Sequence, residues 1–352
     1  GLTGLTSEAD GTANTFTFLN VPGTPALNFR GNNTQTTQLF DSITYTSSSA
    51  TGAADTLTIN VNNRGTPINV GTATTNVHTV GSAALTAANI ETVNVTVTDG
   101  PAIFSGITAA AATTFGFTSS NNLTLGTVAG GTTTSVAASG VTGNFSGTFP
   151  TLGSGAQVTL GKGTFNTLSI AGSGGVFISV TGGSGADTIT GSAQADFITG
   201  GPGNDIIIGG AGSDMLAGGP GSDTFAFNTI ILAANAKTIS DFAAGAGGDI
   251  LRFDATTFTD YASGATVTFI AGGAGAAGLT VGVDSAIVRD TAANILLTTP
   301  AAGAQAVVGI ATDTGNIYYD DNGSFTAGAV IIGNIPTAQV ATLVAANIVI
   351  VP

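Results

Sequence analysis

The chain has no cysteine, no tryptophan, and one histidine, His78, among 352 residues. Without cysteine there is no disulfide, no thiolate metal ligand and no thiol nucleophile. A single histidine excludes the two-histidine motif H-E-x-x-H of a zinc protease. His78 stands in VHTV, where a packed or surface strand residue is the simpler reading. No serine has glycine at both −2 and +2, so the nucleophile elbow of α/β-hydrolases is missing too. Leu160-Gly161-Lys162-Gly163 lacks the remaining residues of a P-loop. The only basic residues are Arg30, Arg64, Lys162, Lys237, Arg252 and Arg289, against a net charge of −14. A chain this acidic is a poor partner for nucleic acid, whose binding rests on Lys and Arg meeting phosphates. No apolar run approaches the length of a transmembrane helix. The opening GLTGLTSEAD has no basic stretch followed by an apolar core, so no Sec-type leader is expected in it.

What is present is glycine, threonine and alanine in short alternating runs. Hydrophobic residues make up 42% but charged residues only 7%, and glycine alone numbers 53. That balance predicts an all-β protein, a β-solenoid or sandwich in place of an α/β enzyme. Period-two runs such as Thr56-Leu57-Thr58-Ile59-Asn60-Val61 and Val176-Phe177-Ile178-Ser179-Val180 read as strands, with turn signals such as Pro22-Gly23 and Asn62-Asn63 between them.

The most ordered stretch runs from residue 182 to 226. Cut into nines it reads GGSGADTIT, GSAQADFIT, GGPGNDIII, GGAGSDMLA, GGPGSDTFA. Aspartate recurs at Asp187, Asp196, Asp205, Asp214 and Asp223, and a large apolar residue follows two places later at Ile189, Ile198, Ile207, Leu216 and Phe225. This is G-G-x-G-x-D-x-U-x, the calcium-binding nonapeptide of parallel β-rolls. The second unit is degenerate, with Ser192 and Gln194 in glycine positions. Glycine permits the positive-φ turn that aims carbonyls inward, and the three-residue tail is a strand with its middle side chain in the core. Two nonapeptides make one coil, so loops n and n+2 stack. By that logic Asp187 pairs with Asp205, Asp196 with Asp214, and Asp205 with Asp223. Calcium, which takes six to eight hard oxygens, is the expected ion. The candidate ligands are Gly182, Ser184 and Asp187; Gly191, Ala193 and Asp196; Gly200, Gly201, Pro202, Gly203 and Asp205; Gly209, Gly210, Gly212 and Asp214; and Gly219, Gly221 and Asp223. Each strand buries little, and stacked aspartates repel without a cation. The stretch is therefore expected to fold on binding calcium.

Four regions are expected: a β-rich segment 1–100, a β-solenoid 101–181 with strands at irregular spacings, the roll 182–228, and a C-terminal antiparallel β cap 229–352. Asparagines and threonines in the solenoid turns are expected to form ladders. A helical turn is expected around Leu85–Ala88 and a short helix near Thr337–Ala346. Asp10 and Asp55 each precede a strand and read as loop-capping aspartates or decayed repeat positions. The carboxylate pairs Asp320-Asp321 and Asp249/Asp254 are the remaining candidates for acid–base chemistry, although a turn role suffices for the first.

The nonapeptides, with ISDFAAGAGGDILRF after them and TGNIYYDDNGSFTAGAVIIGNI and ANIVIVP further on, resemble the RTX (repeats-in-toxin) family of Gram-negative secreted proteins. The upstream stretch ANIETVNVTV resembles RTX-type surface-layer proteins. The resemblance implies type I secretion with an uncleaved C-terminal signal, folding in extracellular calcium, and a terminal calcium contact at Asp241; a plain loop aspartate there remains an equal reading. The function expected is that of a calcium-dependent, non-enzymatic structural protein of the cell surface. Its partners would be further copies of itself, in a layer or filament, and an anionic envelope glycan met through calcium. The alternatives are a calcium-dependent adhesin and, further off, a glycan-acting enzyme.

Overall fold

The computed structural model describes residues 5–8, 15–21, 26–30, 42–47, 55–62, 84–98, 100–170, 177–228, 235–254, 267–270, 285–290, 292, 307–320 and 329–351. His78, Asp10 and Asp321 lie outside them, as do several stretches of the expected C-terminal cap. Strand makes up 60% of the structure and helix 4%, so the protein is all-β and coils as a β-solenoid. It divides into two compact units, Gly1–Thr188 and Ile189–Pro352.

In the first unit the strands stack parallel, with register shifts in some of the pairings. Leu123 pairs with Ala102 on one side and with Phe145 on the other, and Thr92 pairs with Thr56 and Thr114. Strand Thr92–Thr98 shows why these residues coil: Val93, Val95 and Val97 are buried while Asn94 and Thr96 between them face the other way. The alternation gives one dry face per strand, and successive coils cover it. Phe104, Phe115, Phe117, Phe145 and Phe149 fill the interior, with Phe117 at ring-centroid distances of 6.3 Å from Phe115 and 5.8 Å from Phe145. Upstream the coils advance by unequal steps, with bonds between residues 32 and 36 apart, but from residue 102 to 181 the spacing is close to regular, where irregular spacings were expected. Ladder bonds join residues 21 or 22 apart, such as Phe145 to Asn166 and Asn144 to Asn122. Varied turns had hidden that period. Asparagine and threonine stack in the turns as expected: Asn144 N–H donates to Asn122 Oδ1 at 2.9 Å, and Thr164 Oγ1 to Asn144 Oδ1 at 3.2 Å.

Ala84–Ala88 is a strand, where a helical turn was expected. It lies parallel between Ser42–Ser47 and Ala102–Ala109. Two ladders outweigh the helical preference of three alanines.

In the second unit the coil shortens to 18 residues, with Phe197–Thr199 on Met215–Ala217 and Ile206–Ile208 on Thr224–Phe227. Ile198, Ile207, Leu216 and Phe225 form the inward file, all at most 3% exposed. Lys237–Ile239 then stacks on Met215–Ala217, and Ile250–Asp254 on Thr224–Phe227. Val330–Asn334 and Ile348–Val351 cover those two strands in turn, also parallel. The antiparallel cap is thus a correction. Val267–Ile270, Ser285–Asp290 and Val307–Ala311 pair parallel, and among the described strands only Asn316–Asp320 runs antiparallel to its neighbours. A tight turn ending at Gly315, with φ of +72°, makes the reversal into that strand, and the chain has reversed again by Val330–Asn334. Thr337–Val340 is helical, inside the expected helical segment, and a separate 3₁₀ turn, Ala345–Asn347, runs just past its end.

Candidate metal centre

The roll's turns are set by their second and fourth residues. Gly201 and Gly203, Gly210 and Gly212, and Gly219 and Gly221 all have φ between +89° and +153°, a region that glycine enters without steric cost. The carbonyl of one loop then points at the next loop but one: a Cβ on Gly219 or Gly221 would run into the carbonyl oxygens of Gly201 or Gly203. The aspartates close each loop from inside. Asp205, Asp214 and Asp223 are at most 1% exposed. The backbone N–H of Asp196 donates to Asp214 Oδ1 at 2.9 Å, and that of Asp205 to Asp223 Oδ1 at 2.8 Å. Two of the three expected pairings, Asp196 with Asp214 and Asp205 with Asp223, are therefore direct stacking neighbours.

Both columns run on past the repeats. Asp223 N–H donates to Asp249 Oδ1 at 2.8 Å, so Asp249 is the next member of the Asp205–Asp223 column. Asp249 also accepts from Ala243 N–H at 2.7 Å. Asp241 binds the N–H groups of Gly218 and Gly219, each at 2.9 Å. Asp223 Oδ2, like Asp214 Oδ2, is buried without a hydrogen-bond donor. In the other column the position after Asp214 is Lys237. Met215 pairs with Thr238 and Leu216 with Ile239. The Lys237 ammonium lies 2.7 Å from each of Gly210 O, Gly212 O and Asp214 Oδ2.

These contacts test the fit to a hard cation. A positive centre already sits on the second and fourth carbonyls and the carboxylate of one loop, and an orphaned, buried carboxylate oxygen marks the corresponding loop of the other column. No three His, Cys, Asp or Glu side chains converge among the described residues, so an ion here has to take several ligands from backbone carbonyls. That is a calcium-type donor set. Burial raises the carboxyls of Asp214 and Asp223 to about 6. For Asp214 the Lys237 charge opposes the shift; for Asp223 the N–H of Asp205 opposes it while Asp249 and Asp241 add to it. Burial also raises Asp249 and lowers Lys237.

The degenerate second loop differs. Ser192 donates its N–H and hydroxyl to Asp196 Oδ2, at 2.7 and 2.9 Å, so this loop satisfies its own carboxylate; Gly191 is buried and Ala193 exposed. In the third and fourth loops Gly200 and Gly209 are buried against the carboxylates of Asp205 and Asp214, and Pro202 is exposed. In the first unit Gly182 is buried and Ser184 exposed, and Asp187 Oδ2 accepts from Gly183 N–H at 2.7 Å. Asp187 Oδ1 accepts from Asn166 Nδ2 at 2.7 Å. Burial raises the Asp187 carboxyl against these bonds. Asn166 thus stands where a further aspartate would.

A family model, the RTX calcium-binding nonapeptide repeat, matches residues 181–216 and 191–225. The chain carries RTX repeats. These are calcium-binding motifs, and they point to a calcium-binding, extracellular protein. No curated protein matches the chain. Among the described residues no helix is long and apolar enough to cross a membrane.

Sequence reasoning missed Asp249 and Lys237 as roll members. A signal existed: Asp249-Ile250-Leu251 repeats the Asp-x-aliphatic step of the RTX units, and Lys237-Thr238-Ile239 repeats it with the charge reversed. The other acidic candidates have structural surroundings. Asp55 is buried, and its N–H donates to Glu91 Oε2 at 2.8 Å. Asp320 is buried in the strand Asn316–Asp320.

Proposed function

We propose that this is a secreted structural protein of the cell surface which folds on calcium and then assembles with copies of itself into a layer or filament. Calcium lies between loops Gly191–Asp196 and Gly209–Asp214, and between loops Gly200–Asp205 and Gly218–Asp223, held by turn carbonyls and the aspartates. Asp187, with Gly182 and Ser184, serves the first loop. Asp241 and Asp249, beside the orphaned oxygen of Asp223, serve a terminal ion. Export by type I secretion and attachment to an anionic envelope glycan through calcium complete the reading.

The observation that carries self-assembly is an apolar outer stripe on the roll. Phe197 and Met215 are neighbours in register and each is 49% exposed. Large apolar side chains paired on an outer face, with few charges around them, favour contact with another surface. Electron microscopy and light scattering of the full chain, with and without calcium, test this. Ordered sheets or filaments that form in calcium and are lost in the Phe197→Ser/Met215→Ser double variant are expected. A calcium-loaded wild type that stays monomeric at high concentration refutes assembly and leaves an adhesin as the better reading.

A further inference from the structure

The two columns of the roll end differently. The Asp205–Asp223 column continues into Asp249, with Asp241 alongside. The Asp196–Asp214 column continues into Lys237, a side chain only 3% exposed whose strand keeps the register of a repeat. Its ammonium does not reach outward to water. It folds back onto the preceding loop and meets Gly210 O, Gly212 O and Asp214 Oδ2, each at 2.7 Å. Those atoms are the second and fourth carbonyls and the carboxylate, the half-set that a loop turns toward its downstream neighbour. A lysine ammonium has three N–H donors and one positive charge; here it donates to the two carbonyls and forms an ion pair with the carboxylate, so three oxygens surround the charge.

We propose that Lys237 is a built-in cation: it takes the place of calcium in the last half-site of the Asp196–Asp214 column and closes that column without metal. The inference rests on calcium filling the other loops of the roll. It has two consequences. The column has a fixed downstream end that no chelator removes, whereas the Asp205–Asp223 column has an end that only a free ion can neutralise. The protein also binds one calcium fewer than a roll with aspartate at position 237.

Native mass spectrometry of the full chain in saturating calcium reads the second consequence. Lys237→Asp restores Asp-x-aliphatic at residues 237–239 and should raise the count by one ion over wild type. A folded Lys237→Asp variant with the wild-type count overturns the proposal. A second measurement needs no variant. The chain has two lysines, and Lys162 is exposed. Under reductive methylation in saturating calcium, Lys162 should be modified and Lys237 spared. Methylation of Lys237 at the rate of Lys162 means that calcium has displaced the ammonium, and overturns the proposal even if Lys237→Asp fails to fold. A wild type that takes up no calcium at all would instead bring down the calcium reading of the roll, a different result from calcium uptake with a reactive Lys237.

Discussion

Removing calcium should leave a roll that is unstable at neutral pH and regains stability on acidification. Asp214 and Asp223 have carboxyls raised from an ordinary 3.8 to about 6, with burial as the main cause in both. The calcium-free folded state therefore holds these protons more tightly than the unfolded chain does. For a raised carboxyl, the stabilising contribution is fully present below the unfolded value and is lost as pH rises through the folded one. Two pH units correspond to about 3 kcal/mol per group over the whole range. Between pH 7.5 and pH 5 the gain is about 1.4 kcal/mol per group, or roughly 3 kcal/mol for the two. Calcium binds the ionised form, so the calcium-loaded protein should not share this gain. The assay is urea unfolding of metal-stripped full chain, followed by far-UV circular dichroism at several pH values, with a calcium-saturated series beside it. The gap between the two series should narrow on acidification. Asp223→Asn, neutral at every pH, should remove about half of the effect and raise calcium-free stability at pH 7.5. Metal-free stability that is flat or falls between pH 7.5 and pH 5 refutes the argument.

Gly218→Ala places a methyl group against the carboxylate of Asp223. It should cost about 1–3 kcal/mol as overpacking and shift the calcium midpoint upward in a dichroism titration. Asn166→Ala removes the amide that bonds Asp187 Oδ1 and the oxygen that accepts Phe145 N–H at 2.9 Å. It should cost about 2–3 kcal/mol in urea unfolding, with or without calcium, because the Asn166 bonds are direct.

The roll was readable because its physics is periodic. One glycine-dependent turn, one buried carboxylate and one inward aliphatic recur every ninth residue, and no other structure needs that combination. The upstream coils obey the same stacking with a longer period, but their corners are built by different means: Asn144 Oδ1 receives Phe165 N–H at 3.1 Å, and Ser119 Oγ closes a turn on Asn121. Without a shared motif, a regular step of 21 or 22 residues looks irregular in the sequence. The continuation of the roll was hidden by insertion. Asp249 is 26 residues from Asp223, where the repeats advance by 18, so a strict period passes over it. Lys237 was hidden by its charge, since a search for ligands looks for oxygen. The parallel pairings of the cap join segments far apart in the chain, and no local pattern states them.

The covering of the roll's last coil has a consequence for events in time. Strand Ile250–Asp254 is covered by Ile348–Val351, and the turn at its start is clamped by Asn347, which donates to the carbonyls of Gly245 and Asp249 at 3.0 and 2.7 Å. The clamp is 98 residues downstream of Asp249. A chain emerging N-terminus first, whether from a ribosome or a narrow channel, presents the whole calcium-binding stretch well before the segment that finishes it. During that interval the newest coil keeps an open strand edge, and open edges recruit other strands. If calcium drives folding as proposed, a low-calcium compartment keeps the stretch unfolded until both pieces have arrived, and the order of emergence matters less than the moment at which the ion is met.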